Sequence, residues 1–230
     1  CLMMDRDKAK ELIVKGKDLV EKYKEINSYK FKENTLDYFS LNESTLEIGN
    51  DYEELLQYYK KFDEALNLLI NELKQFNDSK KLSQKLYNRL VETQNRININ
   101  FDEIKNKRPI DFIDYLNKII KPIVKIYGDY FETFKLYIEQ KNETAVKIVS
   151  TFNDFLEKVG IYTISCKEGD SWDDRTFDPE KYVSDNITDD KTKVDCIHHF
   201  YRYTYAIHVK NQKEPCILQK GKVSIWKLGG

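Results

Sequence analysis

The chain has 230 residues and a mass of 27.4 kDa, and its 38 basic and 39 acidic side chains nearly cancel to a formal charge of -1. With 40% hydrophobic residues and only 8 glycines and 4 prolines, it can bury a sizeable core, which excludes a disordered or collagen-like chain. The charge balance gives no reason to expect nucleic acid, whose backbone selects concentrated positive charge, and no run approaches the roughly 18 apolar residues of a membrane span.

Ala9, Leu12, Ile13, Leu19, Val20, Tyr23 and Ile26 return at three- and four-residue spacing and predict a first helix over Asp5–Asn27, weakened by Gly16. The pattern loosens from Ser28 to Asn50. From Tyr52 a strong stripe runs through Leu55, Leu56, Tyr59, Phe62, Leu66, Leu69, Ile70, Leu73 and Phe76 and resumes at Leu82, Leu86, Leu90 and Val91. Asn77-Asp78-Ser79 interrupts it, so one long rod and an antiparallel hairpin are both open. Such a stripe needs a partner surface to cover it, and dimerisation through the apolar stripes is the expectation. Leu55, Tyr59, Phe62, Leu66, Leu69 and Leu73 are the expected contacts on that stripe.

Pro109 suits the first turn of the next helix, whose stripe includes Phe112, Ile113, Leu116, Ile119, Ile120 and Ile123. Pro122 lies inside this stripe and predicts a kink or restart. Ile126, Tyr130, Phe131, Phe134, Tyr137 and Ile138 then form a broad face, so Ile120 and Phe134 are expected inside a bundle. Asn142 is positioned to cap a last helix, and Gly160 stands where a left-handed C-terminal cap is wanted. Beyond Gly160 the period drops to two. Ile161–Ile164, the alternating run Tyr201–Val209, Cys216–Leu218 and Lys222–Lys227 read as strands around a polar, acidic loop that ends at Asp190. The expected class is α+β: long helices and a helical bundle followed by a small antiparallel β domain, divided as a stalk over 1–105, a bundle over 106–160 and a β module over 161–230.

Around this junction the chain resembles the GrpE family, the nucleotide exchange factors of DnaK-type chaperones. Phe155-Leu156-Glu157-Lys158-Val159-Gly160-Ile161 is similar to that family's helix end. Phe177-Asp178-Pro179-Glu180 matches its F-D-P turn, and Cys216-Ile217-Leu218-Gln219-Lys220-Gly221-Lys222-Val223-Ser224-Ile225 resembles its last hairpin. Leu116 to Phe131 corresponds to the preceding bundle helix, so the resemblance spans roughly residues 110 to 227. Tyr182 replaces the family's histidine after the turn, and Gln219-Lys220 replaces its arginine-proline. The resemblance implies a cytoplasmic homodimer without a cofactor that grips a DnaK or Hsp70-type ATPase and favours its open, ADP-releasing state. It places partner contacts at Phe177, Asp178, Lys220, Lys222 and an exposed face around Tyr203.

Other chemistry is weakly signalled. Trp172, in the acidic loop, is a candidate interface anchor, while Trp226 in the final strand reads as core. Cys1, Cys166, Cys196 and Cys216 are widely spaced and read as free thiols, with one disulfide among the last three as the alternative. Cys196, His198 and His199, with Cys166 and His208 elsewhere, lack the usual zinc spacing, so no metal is expected. Asp170, Asp173, Asp174, Asp178, Glu180, Asp185, Asp189 and Asp190 lack the register of a calcium loop. A basic cluster at Lys105, Lys107 and Arg108 reads as a solvated helix face. No phosphate loop, nucleophile elbow or H-E-x-x-H helix occurs, so the chain reads as non-catalytic. A scaffold or adaptor that assembles through its helices is the alternative to exchange, and convergence of His199, His208 and Asp178 in one pocket would signal an enzyme.

Overall fold

A computed structural model describes residues 32, 34–76, 81–107, 110–179 and 186–228. The helix expected over Asp5–Asn27, together with Cys1, Asn77-Asp78-Ser79, Arg108-Pro109, Glu180, Tyr182 and Asp185, lies outside the described residues. Asn34 opens a 3-10 turn, Thr35–Phe39, by accepting a hydrogen bond from the Leu36 amide at 3.0 Å, and strand β1 (Glu47–Ile48) follows.

Helix α1 (Tyr52–Gln75) starts where the Asp51 carboxylate accepts the Glu54 amide at 2.9 Å, satisfying a donor that has no partner within the helix. Helix α2 (Lys81–Lys105) returns antiparallel to it. The Tyr52 hydroxyl donates to the Lys105 carbonyl at 3.1 Å, the Tyr59 hydroxyl to Asn98 at 2.8 Å, and the Gln94 amide to Asn67 at 2.9 Å. The stripe is therefore a hairpin and not one rod. Leu55, Phe62, Leu66, Leu69 and Leu73 are each no more than 2% exposed within the single chain. Tyr59 is half-buried and stacks on Phe101, with ring centroids 3.4 Å apart.

The next helix is broken into pieces. Asp111 caps α3 (Phe112–Tyr115) by accepting the Ile113 and Asp114 amides at 2.9 and 3.1 Å. A π-helical turn, Leu116–Ile120, leads into α4 (Lys121–Glu139), and α5 (Glu143–Lys158) follows. Asn142 caps α5 through the Ala145 amide at 3.1 Å, and Gly160 adopts φ +81°, the left-handed geometry its position in the sequence predicts. Ile120 and Phe134 are fully buried.

The sheets comprise β2 (Ile161–Ile164), β3 (Phe177–Pro179), β4 (Ile187–Thr188), β5 (Ile197–Arg202), β6 (Thr204–Val209), β7 (Cys216–Gln219), β8 (Gly221–Ile225) and β9 (Lys227–Leu228). Strand β6 pairs antiparallel with β2 and β7 and parallel with β1. Strand β8 pairs antiparallel with β5 and parallel with β3, and β4 with β9 forms a parallel pair. The sheets are thus mixed, which departs from the antiparallel module expected. The parallel partners come from the acidic loop and from the segment before the helices, where two or three residues are too short to show a period.

The run from Ile197 to Val209 changes sheet at Tyr203, and its partner run changes sheet at Lys220-Gly221. At this bend the Thr204 hydroxyl donates to the Thr176 carbonyl at 2.6 Å and accepts the Gly221 amide at 2.8 Å. A Cβ on Gly221 would lie 2.4 Å from the Arg202 carbonyl oxygen. Glycine is therefore required here for close backbone approach.

Helices and sheets share one core. Tyr127 of α4 stacks on Phe152 at 4.7 Å and meets Tyr205 of β6 edge-on at 5.8 Å, and Phe39 packs on Phe131 at 4.4 Å. The buried Tyr127 hydroxyl donates to Asn153 at 2.5 Å, and Asn153 donates in turn to the Tyr38 carbonyl at 2.6 Å. Residues 34–230 accordingly cluster as one compact unit, so 105/106 and 160/161 mark changes of secondary structure within a continuous core. No helix of the described residues is long and apolar enough to cross a membrane.

Replacing Gly221 by alanine should push the bend open and cost about 1–3 kcal/mol, the usual range for overpacking. A urea unfolding midpoint equal to that of the parent chain would refute the close approach.

Candidate functional site

A groove of about 750 Å3 runs between α2, the broken start of α4 and strand β7. Arg89, Thr93, Arg96 and Asn100 recur at steps of four, three and four, so they share one face of α2. Lys118, Lys121 and Lys125 form the facing row, and the apolar residues Ile97, Ile99, Pro122, Ile126 and Leu218 also line the groove. Among the described residues no carboxylate and no aromatic ring lines it.

The two rows are not equally free. Arg89 is ion-paired with Asp129 and lies 5.8 Å from the Tyr130 ring centroid. Lys118 pairs with Asp114 at 2.8 Å, and that hydrogen bond raises its affinity for its proton. Arg96 donates to the Thr93 hydroxyl at 3.1 Å, a neutral acceptor. Among the described residues Arg96, Lys121 and Lys125 make no ion pair. Uncompensated cations over an apolar wall concentrate positive potential within the cleft.

Pro122 shapes the wall. It has no amide hydrogen to give the carbonyl four residues back, that of Lys118, and its ring crowds that carbonyl. The backbone widens there into the π-helical turn, and Asn100 of α2 donates its side-chain amide to the Lys118 carbonyl at 3.3 Å. The kink expected at Pro122 thus takes the form of a π-helical turn, a feature frequent at functional sites. It carries Asn117 and Lys118 into the groove lining.

The contact residues expected in the β module are placed differently. Phe177 is 5% exposed in a small core with Ile197 and Val223, and Tyr203 is 8% exposed at the bend, so neither offers a free face. Trp172 packs against that core and donates its indole N–H to the Phe177 carbonyl at 3.1 Å, which makes it a structural clamp. Trp226 is half-buried beside His198, at a centroid distance of 4.1 Å. Asp178 is exposed and lies 3.5 Å from the Lys220 ammonium, which also donates to the Asp174 carbonyl at 2.6 Å. Lys222 is half-buried on β8.

The histidines do not converge. His208 stacks on Tyr162 at 4.6 Å, His199 meets Tyr201 edge-on, and His198 faces Ser224 at 3.2 Å. Among the described residues no group of histidine, cysteine and carboxylate side chains is arranged to hold a metal. Cys166, Cys196 and Cys216 are free. Burial, aided by Asp170, pushes the Cys166 thiol up to about 11, and burial also raises Cys216 against the opposing charge of Lys121, so both are weak nucleophiles at neutral pH. In the acidic loop Asp173 accepts from Thr176 and Arg175, and Asp190 accepts from Thr192. These carboxylates build turns, and the same hydrogen bonds lower their pKa values.

No family model, curated protein or solved structure matches this chain. The groove is hidden in the sequence because its cations come from α2 and from the start of α4, against a background of 38 lysines and arginines. Arg89 and Arg96 at seven-residue spacing, with Lys118, Lys121 and Lys125 at three and four, were the available signal.

Removing Asn100 should expose how the wall is held. Asn100→Ala should cost about 1 kcal/mol by leaving the Lys118 carbonyl without its donor. In a Pro122→Ala background, where the restored amide can reach that carbonyl, the same change should cost less. Equal losses in both backgrounds, by denaturant titration, would show that Asn100 does not serve this carbonyl.

Proposed function

We propose that the chain is a non-catalytic binding protein whose working surface is the groove between α2 and α4, and that its ligand is a small, multiply charged anion. The observation that carries this reading is the set Arg96, Lys121 and Lys125: among the described residues these cations have no ion-pair partner and no carboxylate lines their cleft. A volume of about 750 Å3 falls in the range of small-molecule sites, roughly 300–1,000 Å3. Apart from its lysines and Thr93, the polar groups that line it are guanidinium and amide groups, and no described carboxylate, histidine or cysteine accompanies them, which supports binding over chemistry.

Calorimetric titration with inorganic pyrophosphate provides the test. Binding should weaken steeply with salt, because the interaction is between charges at a solvent-facing cleft. Lys121→Gln with Lys125→Gln should reduce affinity by at least about tenfold, a loss of about 1.4 kcal/mol. Arg175→Gln, on the far acidic loop, should change it little. An affinity indifferent to the lysine pair would remove the groove as the site.

Exchange of nucleotide on a DnaK-type ATPase is the second reading, favoured by the order of helical bundle and β module and by the exposed Asp178 beside Lys220. A homodimer on this reading needs a surface other than the stripe of α1, whose leucines are covered within one chain. Faster release of labelled ADP from such an ATPase would favour exchange, and no acceleration at saturating protein would rule it out. Recovery of unrelated assembly proteins in its place would favour the adaptor alternative.

A further inference from the structure

We infer that the ligand of this groove is a phosphate or diphosphate monoester of an aliphatic chain, with its phosphate held by Arg96, Lys121 and Lys125 and its chain laid along Ile99 and Pro122, over Ile97, Ile126 and Leu218. The inference rests on the proposal that the groove is the binding site and goes further by naming the ligand's other half. At neutral pH a phosphate monoester carries a charge near -2, which suits a compact cluster of cations better than a singly charged carboxylate would.

The rest of the lining decides what the phosphate is attached to. Ile97, Ile126 and Leu218, at 1%, 2% and 7% exposure, back the groove from beneath, while Ile99, 61% exposed, and the half-buried Pro122 present the apolar surface that a ligand can cover. Nucleobases are commonly held by stacking on aromatic side chains or guanidinium planes. Among the described residues no aromatic ring lines this groove, and Arg89, one of its two guanidinium groups, is occupied by Asp129 and Tyr130. Flexible methylenes, by contrast, are suited to a surface of isoleucine, leucine and proline, and each one buried should raise affinity about three- to fourfold. Asn100 and Asn117 line the groove as well and are suited to hydrogen-bond the ester's oxygen atoms.

A chain-length series on the full protein tests the idea. Ethyl, butyl, hexyl and octyl phosphate, titrated below their micelle concentrations beside inorganic pyrophosphate and ADP, should bind with affinity that climbs with each added carbon. Octyl phosphate should bind at least about tenfold tighter than butyl phosphate, and ADP no tighter than pyrophosphate. Ile99→Ser should flatten the climb, and Lys121→Gln with Lys125→Gln should weaken every phosphate probe together. Phosphatidylcholine vesicles with and without phosphatidic acid separate the sources: binding to octyl phosphate and to phosphatidic acid vesicles supports a membrane lipid, and binding to octyl phosphate alone supports a soluble ester. If pyrophosphate and ADP bind as tightly as octyl phosphate, the aliphatic assignment is wrong while the anion groove stands. If none of the probes binds, the groove reading itself fails.

Discussion

The architecture depends on how closely helix α4 can approach the strand pair β6–β7. Gly128 leaves room at this joint for the Gln219 side-chain amide, which would lie 2.2 Å from a Cβ there. One helical step away, Tyr127 is wedged between Phe152 and Tyr205, so contact and aromatic packing fix the same joint. The joint also sets the depth of the groove. Leu218 and Gln219 reach its lining because β7 lies against α4 at this point. A bulkier residue at 128 would displace the Gln219 side chain and so alter the lining of the cleft.

Much of the helical half is legible from the sequence because its determinants are local. Asn142 and Gly160 take the cap geometries that their residue types favour, and Pro122 breaks the helix where its missing amide requires a break. The choice between rod and hairpin is not local. It depends on whether Tyr59 finds Asn98 and Phe101, partners some forty residues away that no window of periodicity contains. The β half was harder to read for the same reason. Strand β6 is buried at Tyr205 and Ala206 alike, so its alternation of residue types does not mark an exposed face.

The groove illustrates the gap between residue type and residue charge state in space. Lysines in a chain this basic and this acidic usually find opposite charges nearby, as Lys210 does with Glu54 and Lys105 with Asp102. Arg96, Lys121 and Lys125 differ only through their surroundings after folding. The GrpE resemblance has the converse difficulty. Its Phe177 sits in this chain's own small core, a role that an apolar side chain in a turn can fill with no partner at all.

The ion pairs at Arg89 and Lys118 have one more consequence. They quench two members of the cationic rows and leave the charge uneven along the cleft. The cations without ion-pair partners among the described residues are then Arg96, Lys121 and Lys125, with no continuous track of charge along the cleft. An anion arriving there would be held at one address, with little to draw it onward along the surface.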